Sequence, residues 1–180
     1  HLSCTDATMI NRDRVSWRET QQMGQSPLDP LSRSKLLAEE LALHANDASL
    51  QVCALRPAWV WGPGDRRTLP ALCREAEHGR VQLCGDGENL VPTVYLDNLI
   101  DALLLAADAE RAPGHAYHVL DGEVLNAREF IGQLCASLGL SAPARSIYAL
   151  AYAQAWLRER LRRPGLMRAD VVRRGRSAQT

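Results

Sequence analysis

The chain has 180 residues, 46% of them hydrophobic and 23% charged, with 21 basic side chains balanced by 21 acidic ones. That length supports a folded domain with a sizeable core, and zero net charge gives no general pull toward nucleic acid or anionic membrane. No run of 18 apolar residues is present to span a bilayer, and five scattered cysteines without a CxxC pair read as free thiols of a reducing, cytoplasmic compartment.

His1 to Thr5 has the character of the end of a buried strand. Its small side chains Ser3, Cys4 and Thr5 fall at the carboxyl end, where α/β sheets present chemistry. Asn11 to Pro27 is polar and broken by Gly24 and Pro27, which predicts a loop. Asp29 to Leu43 carries a full helix start signal, with Asp29 as cap and Pro30 at the first helical position. Leu31, Ser34, Lys35, Ala38 and Ala42 share one stripe of that helix, with Leu31 expected as a core leucine and Lys35 among small and apolar neighbours.

Leu50 to Leu55 predicts a short strand, and Arg56 to Asp65 a rigid loop, since two prolines and two glycines exclude helix. A strand, an aromatic loop bearing Trp59 and Trp61, and a helix from Leu69 to Gly79 form the plan of a ligand crevice. Short strands are expected at 81–84 and 93–96, with the turn Gly85-Asp86-Gly87 between them. Asp97 is positioned to cap a helix to about Asp108 whose inner face is Leu99, Ala102, Leu103 and Ala106. A strand at 116–120 turns at Asp121-Gly122, and Asn126 caps a helix that ends at Gly139, with Phe130, Ile131 and Leu134 inward.

From Arg145 onward nine arginines face only Glu159 and Asp170. Residues 147–157 are apolar nearly all round and lead into Arg158, Arg160, Arg162 and Arg163. Such a helix suits peripheral membrane contact over 147–163, or docking on a partner or on the rest of the domain.

Four stretches, in this order and spacing, resemble the extended short-chain dehydrogenase/reductases, and within them the 3β-hydroxysteroid dehydrogenase-like branch. They are Ser3-Cys4-Thr5; Ser34-Lys35 with Ala38-Glu39, similar to YxxSKxxAE; Leu55 to Asp65, similar to LRPxxVYGPGD; and Val94 to Leu99, similar to FVHVDNV. The Gly-Asp-Gly-x-Asn pattern at 85–89 favours the steroid-like branch. The resemblance implies an α/β fold: the carboxyl-terminal half of a Rossmann-type doubly wound sheet plus the small α/β substrate domain. It divides the chain into a Rossmann remnant at 1–67, a mostly substrate-binding region at 68–145 with segments returning to the sheet, and an apolar, basic tail at 146–180.

By resemblance, Thr5 and Lys35 are catalytic, and Lys35, Arg56, Pro57 and Val60 meet an NAD or NADP cofactor. Trp59 and Trp61 would line a pocket for a small apolar, steroid-like substrate, and a homodimer is compatible with the family. The implied reaction is NAD(P)-linked oxidation of a secondary alcohol or its reverse. Two features depart from the pattern. No glycine-rich GxxGxxG motif occurs, and the chain starts at His1, so a carboxyl-terminal fragment is expected. Leu31 stands where the family has its general acid/base tyrosine, so turnover is expected to be impaired. The alternatives are a non-catalytic remnant binding an apolar ligand or a membrane, and a nucleotide-sugar epimerase or dehydratase. The apolar Val91-Pro92 argues against the last.

Overall fold

The computed structural model describes residues 1–5, 19, 30–66 and 68–146, together with 152, 153, 156, 157 and 160. The described residues fall into two compact units, one of residues 1–63 and 92–123 and the other of 64–91 with the chain from 124 onward. The division is interleaved along the sequence, with the segment 92–123 in the first unit.

The first unit is built on parallel strands. β1 (Ala54–Pro57) pairs with β6 (Ala116–Val119) on one side. On the other it meets the first residues of the chain through a parallel Leu2–Leu55 bridge, with Ser3 N–H donating to Leu55 O at 2.7 Å. β2 (Trp59–Trp61) pairs in parallel with β5 (Thr93–Tyr95). β1 and β2 are separated by Ala58 alone, whose N–H still donates to Val119 O, whereas the next N–H, from Trp59, donates to Pro92 O. The strand therefore changes partner at Ala58. The loop expected over 56–65 is strand as far as Trp61. Pro57 is tolerated because amide directions alternate along a strand. Leu55 N–H points to the His1 side, so Pro57 lacks its donor on that same side, where the described pairing ends at Ser3.

Helix α1 (Pro30–His44) matches its predicted span, while the proposed Asp29 cap and the 11–27 loop lie outside the described residues apart from Glu19. Its buried face is Ser32, Leu36 and Glu39. The expected stripe is displaced, and Leu31 is 66% exposed rather than a core leucine. Helix α3 (Leu96–Asp108) buries Leu99 and half-buries Ala102 and Ala106 as predicted, whereas Leu103, expected on the same face, is exposed. Asp97 is in its first turn and does not cap it. Tyr95 is the N-cap residue and makes no side-chain cap bond.

The second unit holds α2 (Thr68–Glu77), β3 (Gln82–Cys84), β4 (Leu90–Val91), β7 (Leu125–Asn126), α4 (Ala127–Ser137) and β8 (Ala144–Ser146). β3 pairs in parallel with β8, and β4 antiparallel with β7. Its core is Leu72, Ala76, Val81 and Cys135, with Ile131, Leu134 and Leu140 packed against it. Asn126 caps α4 in a full capping box. Its side chain accepts from Glu129 N–H while the Glu129 carboxylate accepts from Asn126 N–H. Of the tail, the described residues 152, 153, 156, 157 and 160 are helical, and the Arg160 guanidinium lies 5.6 Å from the Trp156 ring centre. The rest of 147–163 lies outside the described residues. No described helix is long and apolar enough to cross a membrane.

Candidate active site

Parallel strands place their chemistry at their carboxyl ends. In the first unit those ends carry Thr5, Pro57, Trp61, Tyr95 and Asp121. Thr5 is half-buried where the first strand turns over. Lys35 is half-buried on α1 and makes no ion pair or hydrogen bond with another described residue. Leu31, one turn earlier on the same side of α1, is exposed and offers no polar atom.

Arg56 lies elsewhere. It is buried beneath α1, where its Nε donates to both oxygens of Glu39 at 3.1 Å and its Nη2 donates to Oε1 at 2.6 Å. Strand register aligns Arg56 with His118 and, through the Leu2–Leu55 bridge, with Ser3. Ser3, Arg56 and His118 thus form a polar row on the sheet face that α1 covers. Burial first and the Arg56 charge second lower the His118 pKa, against smaller opposing effects of Glu19 and Glu39. Its backbone N–H donates to the Glu19 carboxylate at 3.1 Å, while its Nε2 and the Ser3 Oγ are buried with no partner among the described residues.

Trp59, Val60 and Trp61 are all half-buried on β2. Trp59 N–H is directed to β5, so alternation turns the Val60 amide to the opposite side of the strand. The Trp61 ring meets Tyr95 edge to face, with centroids 5.1 Å apart. Trp59 and Trp61 alternate with Val60 and so share one side of the strand.

Asp121, read from sequence only as a turn residue, is the hub of this end of the sheet. Its carboxylate accepts from Tyr95 N–H at 3.1 Å, Asn98 Nδ2 at 2.7 Å, Thr93 Oγ1 at 3.2 Å and Trp61 Nε1 at 3.5 Å. Burial pushes its pKa up, but the donors from Asn98, Tyr95, Trp61 and Thr93 together outweigh burial and hold it below the ordinary aspartate value. The available signal was an acidic residue at the end of an apolar strand, a position that α/β sheets reserve for function or for anchoring loops. The Glu39–Arg56 pair was foreshadowed by two charges at helix and strand positions otherwise apolar.

A cleft in the first unit lies away from these residues. It encloses about 350 Å³ at the amino ends of the strands, lined by His1, Val52, Cys53, Leu55, Leu103 and Pro113. No group of three or more metal-ligating side chains occurs among the described residues.

The profile of the 3-beta hydroxysteroid dehydrogenase/isomerase family matches residues 5–150. A 2-alkyl-3-oxoalkanoate reductase of Stenotrophomonas maltophilia is 45% identical over 114 residues, 61% of this chain and 34% of that protein. Short-chain dehydrogenase/reductase family 42E member 1 of Homo sapiens is 35% identical over 171 residues, 82% of this chain and 44% of that one. Among solved structures, MoeE5 in complex with UDP-glucuronic acid and NAD superimposes with a TM-score of 0.65 at 27% identity, covering 81% of this chain and 50% of that one. The chain therefore spans between a third and half of the length of these proteins.

Proposed function

The chain belongs to the 3-beta hydroxysteroid dehydrogenase/isomerase family, and from that premise we propose that it derives from an NAD(P)-dependent oxidoreductase interconverting a secondary alcohol and a ketone on a bulky apolar molecule. The observation that carries this reading is Lys35, a half-buried residue whose ammonium has no partner among the described residues. A dinucleotide bound here would supply the hydride acceptor or donor. Lys35 would hold a ribose hydroxyl, and Thr5 would orient the oxygen of the substrate. The backbone at Pro57 to Val60 would shape the nicotinamide end, where the Val60 amide would meet the carboxamide. Arg56 supports this end indirectly, as the buried counter-charge of Glu39 on the helix that carries Lys35. Trp59 and Trp61 would offer the apolar surface against which the substrate packs.

Residue 31 limits the chemistry. Proton transfer to or from the reacting oxygen needs an acid/base group one turn before Lys35, and the leucine side chain has no exchangeable proton. General acid/base catalysis contributes on the order of 10²–10⁴-fold, so this chain should turn over slower by about that factor. The residues present fit the nicotinamide end of a dinucleotide. The 180 residues contain no glycine-rich loop to cradle its pyrophosphate.

The test joins the chain to an amino-terminal half that carries such a loop, with Leu31 or with Leu31→Tyr. The expected result is NADH- or NADPH-dependent reduction of an apolar 3-oxo compound by the Leu31→Tyr protein, with the leucine form at least about 10²-fold slower. Equal rates would remove the proton-transfer argument. Turnover of UDP-glucose instead would favour the nucleotide-sugar reading. Cofactor binding with no turnover of either would leave a ligand-binding remnant. The basic, apolar segment 147–163 is proposed to rest on a membrane surface, which flotation with anionic liposomes would reveal.

A further inference from the structure

We infer that Asp121 is the positioning residue for the aromatic wall of the substrate site, acting through Trp61 and Tyr95. This rests on the proposed apolar substrate. A half-buried tryptophan at a strand end has several rotamers open to it, and an apolar ligand binds more tightly to a wall already in place. Here three constraints converge on one ring. The indole N–H points at the Asp121 carboxylate, 3.5 Å from Oδ2. The ring stands edge-on to Tyr95 at 5.1 Å, and the backbone of Tyr95 is tied to the same carboxylate. The next residue, Gly62, has φ +135°, and a Cβ there would stand 3.1 Å from the Tyr95 ring. The main chain after Trp61 is thus packed directly against the ring that Trp61 meets.

Asp121 is well suited to this task. Its carboxylate is ionised at neutral pH and gathers donors from β2, β5 and the first turn of α3. Charge-assisted hydrogen bonds are stronger than neutral ones, so one group ties the paired strands β2 and β5 to the first turn of α3. An asparagine keeps the shape but loses the charge and half of the acceptor capacity.

The experiment uses the 180-residue chain, nitrogen-15 labelled, with 3-oxododecanoate as probe and the Trp61 indole resonance assigned by Trp61→Phe. Without ligand, the indole resonance should shift in Asp121→Asn. An unmoved resonance would overturn the inference. With ligand, the wild-type resonance should move saturably, and Asp121→Asn should weaken the probe about five- to tenfold. In the Trp61→Phe background the same substitution should change affinity less than about twofold, because its effect travels through the indole. Independent, multiplying losses would show a purely structural role and sink the inference. Tyr95→Leu leaves every donor to Asp121 in place and should weaken the probe in the same direction, which keeps the test intact if Asp121→Asn fails to fold. Heat of probe binding with no change at Trp61 would end this inference and spare the functional reading. No heat at all would end both.

Discussion

The carboxylate of Glu39 and the guanidinium of Arg56 face each other in a forked contact, with side chains 0% and 3% exposed. One charge comes from the middle of α1 and the other from the middle of β1, so the pair fixes how the lysine-bearing helix lies on the sheet. Burying two ions is costly, and their attraction with good geometry roughly offsets that cost. Removing one partner takes from the other the buried counter-charge it faces. Glu39→Gln or Arg56→Ala should therefore cost about 3–5 kcal/mol in urea unfolding. Replacing both by methionine should cost much less, because neither charge of the pair is then buried without the other. A double variant as unstable as the singles would show that the pair matters for its shape rather than its charge.

His118 predicts a particular acid response. Its pKa in the folded chain lies below the ordinary histidine value, chiefly through burial and then through Arg56 beside it. The folded state accordingly resists the proton that the unfolded chain accepts near pH 6.5. The contribution of His118 to stability is complete above that pH and is lost as the pH falls through it toward the folded pKa. Melting temperature should drop between about pH 7.5 and 5.5, and His118→Gln should flatten that part of the curve. An unchanged slope in the variant would assign the acid response to other groups.

Much of this architecture could be read from the residues. The α1 span followed from Pro30 and the apolar run behind it. The α4 start followed from Asn126, whose partner three residues on is a glutamate, a local signal that needs no tertiary knowledge. What escaped were long-range decisions. Strand β2 is held by β5, more than 30 residues away, and prolines and glycines on either side hid it. The start of α3 is tied down by Asp121 rather than by the nearby Asp97, because only folding brings that carboxylate alongside. Leu31 was expected to be in the core, yet the burial phase of α1 is set by Glu39 reaching Arg56, and that turns Leu31 outward. Lys35 and Thr5 could be named from pattern alone, but the roles of Tyr95 and Asp121 required the register.

Gly62 carries a separate prediction. At φ +135° an L side chain is strained, and the ideal Cβ position lies 3.1 Å from Tyr95 Cε2 and 3.2 Å from Leu96 Cβ. Both penalties apply to Gly62→Ala. The loss should exceed about 1 kcal/mol, and the Trp61 indole signal should shift with it as Tyr95 gives way. Gly64 also has a positive φ but has open space around its Cβ position, so Gly64→Ala should cost less. Equal losses at the two sites would mean that backbone strain alone accounts for both.

Leu31 and Lys35 are four residues apart on α1, the spacing at which helix side chains meet. A tyrosine introduced at position 31 would stand within reach of the Lys35 ammonium. Because Leu31 is 66% exposed, Leu31→Tyr should alter stability by no more than about 0.5 kcal/mol. The nearby cation favours the phenolate, so the introduced phenol should ionise below its ordinary pKa of about 10. Lys35→Met in the same background should return it upward, since it removes the charge while keeping most of the side chain's bulk. Ultraviolet difference titration, with Leu31→Tyr compared against the parent chain, isolates the introduced group from the four native tyrosines. A midpoint that ignores Lys35 would mean that the ammonium is turned away from position 31. Replacing the leucine would then be insufficient to rebuild the acid/base pair.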